Sequence, residues 1–170
     1  SAIALGDSAQ SSSPNGIAFG LLANTSATNG IAIGAFSQVT AEDGISIGAG
    51  NAFPTTAGGI RSIAIGVGDF SSTQALETNS IAIGSGAIAT GFNSLAVGGL
   101  AIAGGTGSIA LGENANASYP HSIALGNSST LAPYEISFDI GMTNGTALGA
   151  YAGYISIRIG ATGFKLPFYA

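Results

Sequence analysis

The sequence has 170 residues, 46% of them hydrophobic and only 6% charged, with eight acidic against three basic side chains. That balance lacks the basic patch that neutralises a phosphate backbone, so nucleic acid is excluded as a partner. The absence of cysteine and the single histidine, His121, exclude disulfides, thiolate metal sites and any multi-histidine centre. No apolar run reaches the roughly 18 residues of a membrane span, and the start SAIALGDSAQ has no charged and apolar leader, so neither membrane insertion nor a signal peptide is expected.

From its first residues the chain repeats one motif. AIALG (2–6), GIAFG (16–20), GIAIG (30–34), GISIG (44–48), SIAIG (62–66), SIAIG (80–84), SLAVG (94–98), SIALG (108–112) and SIALG (122–126) follow in order. They close on Gly6, Gly20, Gly34, Gly48, Gly66, Gly84, Gly98, Gly112 and Gly126, at intervals of 14, 14, 14, 18, 18, 14, 14 and 14 residues. A fixed period of this kind signals a solenoid. Fourteen residues hold two strands of about five residues and two tight bends but no helical hairpin. Each repeat is therefore expected to be one coil of a parallel β-roll.

Ile63 and Ile65 stand two positions apart and share one strand face, while Ala64 points the other way. The closing glycines are expected at bends with positive φ or where backbones approach closely. Three residues beyond each glycine the side chain is small: Ala9, Ala23, Ser37, Asn51, Asp69, Ala87, Ala101, Ala115 and Ser129. The return strand should therefore lie close to the first. Nine coils at the strand spacing of about 4.8 Å make a rod roughly 43 Å long. Neither face of the pentapeptide is polar, and a return strand can cover only one. The other face needs a partner, which a chain repeating one surface supplies most simply as further copies of itself.

The two 18-residue intervals are consecutive, so their extra residues are expected side by side as one bump, with Phe53, Pro54, Arg61, Asp69, Phe70 and Glu77 as its members and candidate contact residues. Reactive chemistry is not evident in this part of the chain. GSGAIA (84–89) fits a dinucleotide-binding pattern, but TGFNS after it starts no helix and no acid follows about 20 residues on. Glu42 and Asp43 are adjacent and suit a bend rather than an acid and base pair. His121, beside Pro120, is expected at a surface bend. No catalytic residue, cofactor or metal site is expected, and the sequons at Asn24, Asn116, Asn127 and Asn144 are what a chain rich in Asn, Ser and Thr produces by chance.

Across residues 2 to 126 the nine SIAIG-type cores with small alternating residues resemble the YadA-like head of trimeric autotransporter adhesins. The resemblance implies a left-handed parallel β-roll, three chains around one axis and a role in attachment. The neck motif, heptad stalk and β-barrel anchor that usually follow such a head are not visible after Gly126. Similar repeats occur in bacteriophage tail and capsid fibres, and the ending GYISIRIGATGFKLPFYA resembles a short terminal hairpin of phage structural proteins.

After Gly126 the spacing decays, and a separate module is expected over 128–170, following a roll over 1–127. It holds seven of the thirteen aromatic residues, among them Tyr151, Tyr154, Phe168 and Tyr169 as candidate contacts. Residues 154–159 and 164–169 alternate as strands around GATG, either as a cap on the last coil or as a binding tip.

The sequence thus reads as an all-β, homotrimeric roll with 14-residue coils and a short aromatic-rich β module at its C-terminal end. Its function reads as a fibre for attachment to a host receptor or extracellular matrix. A virion fibre, partnered by other virion proteins, is favoured over the head of a bacterial surface adhesin. An ice-binding solenoid is the remote third reading.

Overall fold

A computed structural model describes residues 1–50, 53–68, 71–127, 129–130, 132–138, 151–159 and 162–169, with backbone only for Phe138 and the last two segments. The chain divides into two compact units, Ser1–Ile140 and Gly141–Ala170. The first is a parallel solenoid. One sheet, sheet I, has ten strands in chain order: Ile3–Leu5, Ile17–Phe19, Ile31–Ile33, Ile45–Ala49, Ile63–Val67, Ile81–Ile83, Leu95–Val97, Ile109–Leu111, Ile123–Leu125 and Ile136–Phe138. The return strands form sheet II, with eight: Gln10–Ser11, Asn24–Thr25, Gln38–Val39, Thr56–Ala57, Gln74–Ala75, Ile88–Ala89, Ile102–Ala103 and Asn116–Ala117. Every pairing is in repeat register, as in Ile81↔Leu95, Ala82↔Ala96 and Ile83↔Val97.

The parallel ladder continues one rung past the nine glycine-ended copies. Ile136–Phe138 pairs with Ile123–Leu125 as Ile123↔Ile136, so the expected division after residue 127 falls inside a coil. In the second unit Tyr151–Ile159 and Thr162–Tyr169 pair antiparallel, with Ile159 opposite Thr162 and a register shift between Tyr151 and Gly153.

The alanines, not the isoleucines, face the interior. Ala18, Ala32, Ser46, Ala64, Ala82, Ala96, Ala110 and Ala124 are completely buried between the sheets, while the large residues beside them stay half-buried or exposed. Sheet II answers with Thr25, Val39, Ala57, Ala75, Ala89, Ala103 and Ala117, and among the described residues no fully buried side chain is larger than Val39. A coil this short, bent twice, leaves its two walls too close for an isoleucine.

A volume rule runs through this core. Each interior residue of sheet II packs against the residue five positions on, at the start of the next pentapeptide. Thr25 and Val39 meet Gly30 and Gly44, whereas Ala57, Ala75, Ala89, Ala103 and Ala117 precede Ser62, Ser80, Ser94, Ser108 and Ser122. A Cβ on Gly44 would stand 2.8 Å from Val39 Cγ1, inside the ordinary carbon contact of about 3.5 Å. Ser62 and Ser80 accept hydrogen bonds from the N–H groups of Gly59 and Glu77. Ser94 and Ser108 hold the same place with no hydrogen-bond partner among the described residues, so volume sets the column.

Both bends of a coil use left-handed backbone. At the first, after the closing glycine, Ser8, Leu22, Phe36, Gly86, Leu100 and Asn114 have φ between +53° and +65°. The second, before the next pentapeptide, places Asn15, Asn29, Asp43, Arg61, Asn79, Asn93, Gly107, His121 and Tyr134 at φ between +56° and +64°. These residues also bind coil to coil: Phe36 N–H donates to Leu21 O at 2.9 Å and Asn79 N–H to Ile60 O at 2.9 Å. The hydrogen-bonded ladder therefore continues around the corners.

Seven of the expected bend glycines, Gly6, Gly20, Gly34, Gly84, Gly98, Gly112 and Gly126, have φ between +78° and +136°. Gly48 and Gly66 differ. They lie inside the strands Ile45–Ala49 and Ile63–Val67 without positive φ, because in the long coils the strand runs on before turning. Close approach is what requires glycine there: a Cβ on Gly48 would meet the Gly66 backbone and stand 2.7 Å from Thr55 Oγ1.

The interior place of Ser37 is accordingly filled in the long coils by Thr55 and Thr73; Asn51 and Asp69, which the spacing suggested, lie outside the described residues. Ser37 Oγ, Thr55 Oγ1 and Thr73 Oγ1 donate across the coil boundary to the carbonyls of Gly48, Gly66 and Gly84, at 2.7, 3.1 and 2.8 Å. The extra length of each long coil thus falls between its closing glycine and this threonine.

Candidate functional site

With the alanines inward, sheet I turns two columns of large apolar residues outward. One begins Ile3, Ile17, Ile31, Ile45 and the other Leu5, Phe19, Ile33, Ile47, and both continue in register along the rod. The second column is the more open, with Phe19 51% and Ile83 37% exposed. No charge interrupts either column. Full burial of such a side chain contributes about 1.5 to 3 kcal/mol, so each rung holds back roughly 1–2 kcal/mol while its two outward residues remain partly wet. Contiguous apolar surface on this scale marks an interaction site.

Sheet II and the second bend are more polar, although Ile88 and Ile102 stand in the outward column of sheet II. Sheet II points Gln10, Asn24, Gln38, Thr56 and Gln74 outward. At the second bend Asn15 Nδ2 donates to Asn29 Oδ1 (3.1 Å), Asn29 Nδ2 to Asp43 Oδ1 (2.9 Å) and Asn79 Nδ2 to Asn93 Oδ1 (2.9 Å). These amide ladders sit where Asn and Asp tolerate the left-handed backbone better than other side chains. Their sequence signal was an Asn or Asp directly before the Gly or Ser of the next pentapeptide. His121 occupies the expected surface bend, and its ring stacks on that of Tyr134 with centroids 5.2 Å apart.

The candidate contact residues do not form one bump. Phe53 is exposed at the first bend with Pro54 beside it, whereas Arg61 and Glu77 belong to the second bend on the opposite edge of the roll. The reason is that the insertions occupy one corner only, and a glycine-to-glycine count cannot say which. Asp69 and Phe70 lie outside the described residues. Tyr151 and Tyr154 are in one strand of the hairpin and Phe168 and Tyr169 in the other, with Tyr151 registered opposite Tyr169; their side chains are likewise outside the described set.

Among the described residues there is no group of three or more His, Cys, Asp or Glu placed to hold a metal ion. No helix there is long and apolar enough to cross a membrane. The GSGAIA stretch closes one rung at Gly84 and enters the strand Ile88–Ala89, so it opens no helix onto a phosphate.

Small residues inside, large apolar residues outside and polar ladders at the second bend define a parallel repeat solenoid with one apolar outer face. Residues 1–23, 26–51, 71–87, 75–101, 89–112 and 103–129, more than half of the chain, match the family model of the YadA head domain repeat. The chain belongs to this family. The crystal structure of the collagen-binding domain of the Yersinia adhesin YadA has a similar fold, with a TM-score of 0.58 over 82% of this chain and 75% of that one, at 22% identity. No curated protein sequence matches the chain.

Proposed function

We propose that the chain is the head segment of a trimeric adhesive fibre displayed on a bacterial surface, and that it attaches to extracellular matrix. The observation that carries this reading is the uncharged double column of half-wet Ile, Leu and Phe on sheet I. A strip two side chains wide is closed off when three rods turn it toward a common axis, as the family resemblance implies, leaving sheet II and its amides facing out. Family membership and the likeness to a collagen-binding adhesin domain support the bacterial reading over the virion fibre favoured from the sequence. Neither gives support to virion partners. Three copies of every contact on one rod would multiply a weak affinity for a repetitive matrix ligand.

Sedimentation equilibrium at micromolar concentration tests the assembly. The expected mass is three times that of the 16.4 kDa chain. Ile83→Asp places a carboxylate from each copy on the apolar face, where an unpaired charge is strongly disfavoured, and should yield monomers. A wild-type monomer would refute the proposal. Binding of the assembled rod to immobilised collagen, compared with an uncoated surface, tests the ligand class.

A further inference from the structure

We infer that the apolar contact between copies does not stop at sheet I but continues around the first bend, making that corner the seam where one copy meets the next. The inference rests on the proposed assembly and says which edge of the rod closes it. Three observations point to this corner.

The first is backbone conformation. Leu22, Phe36 and Leu100 sit at φ +53°, +60° and +56°, a conformation that disfavours large side chains. Leu22 and Leu100 are also exposed to solvent. Such residues combine a disfavoured backbone with apolar surface that the core of their own roll does not take in; Leu100 Cδ2 lies over Gly86 of the preceding coil. The equivalent column at the second bend contains no Leu or Phe; it runs Asn, Asn, Asp, Arg, Asn, Asn, Gly, His, Tyr. Ile60, Leu76, Phe92, Tyr119 and Tyr134 are exposed near that second bend too, but they are spread over four columns whose other members include Glu42, Glu77, Thr90, Asn93 and Thr106.

The second is continuity. Where the long coils replace the ordinary bend, sheet I is extended toward the same corner by the pair Ala49↔Val67, and Val67 and Phe53 are both exposed. Apolar residues therefore mark this corner in the second, third, fourth, fifth and seventh coils. The third is the gradient of exposure across sheet I. The column beside the first bend, with Phe19, Ile33, Ile47, Ile83 and Leu111 exposed, is wetter than the column beside the second bend, whose members from Ile17 to Ile123 are all half-buried. A strip that follows the rod rung by rung, and merges with its apolar face, fits a second copy of the same rod.

The test is the triple variant L22N/F36N/L100N in the full chain. Asn suits the left-handed backbone and cannot replace the lost apolar contact, so it separates folding from association. The expected result is a folded rod, by circular dichroism, whose half-assembly concentration rises about 100-fold by sedimentation velocity, three modest losses multiplying. R61N/H121N at the second bend should leave assembly unchanged. A folded triple variant that assembles like wild type overturns the seam and leaves the trimer standing; a wild-type monomer overturns both. Should the triple variant not fold, Leu100→Cys in this cysteine-free chain supplies a second measurement. Maleimide should label it at least roughly tenfold more slowly than Asn93→Cys in the assembled rod, the protection expected of a buried thiol, and equal rates overturn the seam.

Discussion

The trade of volume between Val39 and Gly44 can be tested with a double-mutant cycle. Gly44→Ser places a Cβ 2.8 Å from Val39 Cγ1, 3.0 Å from Ala41 O and 3.5 Å from Ala57 Cβ. The first of these is about 0.7 Å inside ordinary carbon contact, and overpacking of that order costs about 1–3 kcal/mol. Val39→Ala removes two methyl groups from a fully buried site, a loss of about 1.6 kcal/mol of transfer energy before any cavity term. Additive behaviour would place the double variant some 3–5 kcal/mol down.

The pair Val39→Ala with Gly44→Ser, however, rebuilds the arrangement found at Ala57 and Ser62. There Ser62 Oγ accepts the N–H three residues earlier at 3.2 Å, and a serine at position 44 would have Ala41 N–H in the same place. The double variant should therefore lie within about 1 kcal/mol of wild type, a coupling of at least roughly 2 kcal/mol. The assay is thermal unfolding by circular dichroism at one fixed protein concentration, since association shifts the midpoint. Each single variant should melt roughly 4–10 °C lower, at about 2–4 °C per kcal/mol for a unit of this size, and the double should recover most of the loss. A double variant that melts at the sum of the single losses would refute the volume rule.

Two further tests address the coil boundary. Thr73→Val removes the donor of the buried Oγ1 to Gly84 O bond at 2.8 Å while keeping shape; it should destabilise by about 1–3 kcal/mol because the carbonyl stays buried without that donor, and an unchanged melting midpoint would show the bond to be idle. Gly98→Ala combines φ +134° with a Cβ directed into the Gly112 backbone. It should lower the midpoint more than Gly99→Ala, whose Cβ meets nothing closer than 3.9 Å; equal losses at the two positions would mean that close stacking is not what the closing glycine supplies.

The coil was legible because one pentapeptide recurs and its alternation fixes which residues share a face. Which face turns inward was not. Ile63 and Ile65 against Ala64 is a period-two pattern that reads equally well either way, and only the narrow gap between two walls of a 14-residue coil excludes isoleucine from the interior. The placement of Arg61 and Glu77 failed for a related reason: an interval from Gly48 to Gly66 spans both bends, while the register of Thr55 with Ser37 and Thr73 assigns the extra residues to one. The tenth rung, Ile136–Phe138, echoes the pentapeptide in ISFDIG (136–141) but reads as part of the C-terminal module, because Glu135 stands where Ser122 does, no glycine directly follows Phe138, and the spacing from Ile123 is 13.

The arrangement of sizes also explains the unusual composition. Among the described residues the core is Ala, Ser, Thr and one Val, which releases little free energy per residue, since stabilisation scales with apolar area removed from water, while ordering each residue costs about 1–2 kcal/mol. Inter-coil hydrogen bonds through strands and bends offset part of that cost. The larger reserve lies in the side chains left outside, such as Ile83 and Phe19, and it is released only when sheet I is covered. In the proposed assembly, folding and association therefore draw on the same residues, and the rod should gain stability with every rung added. Charge on sheet I would cancel that reserve, which gives a physical reason for charged residues being only 6% of the chain and absent from both outward columns.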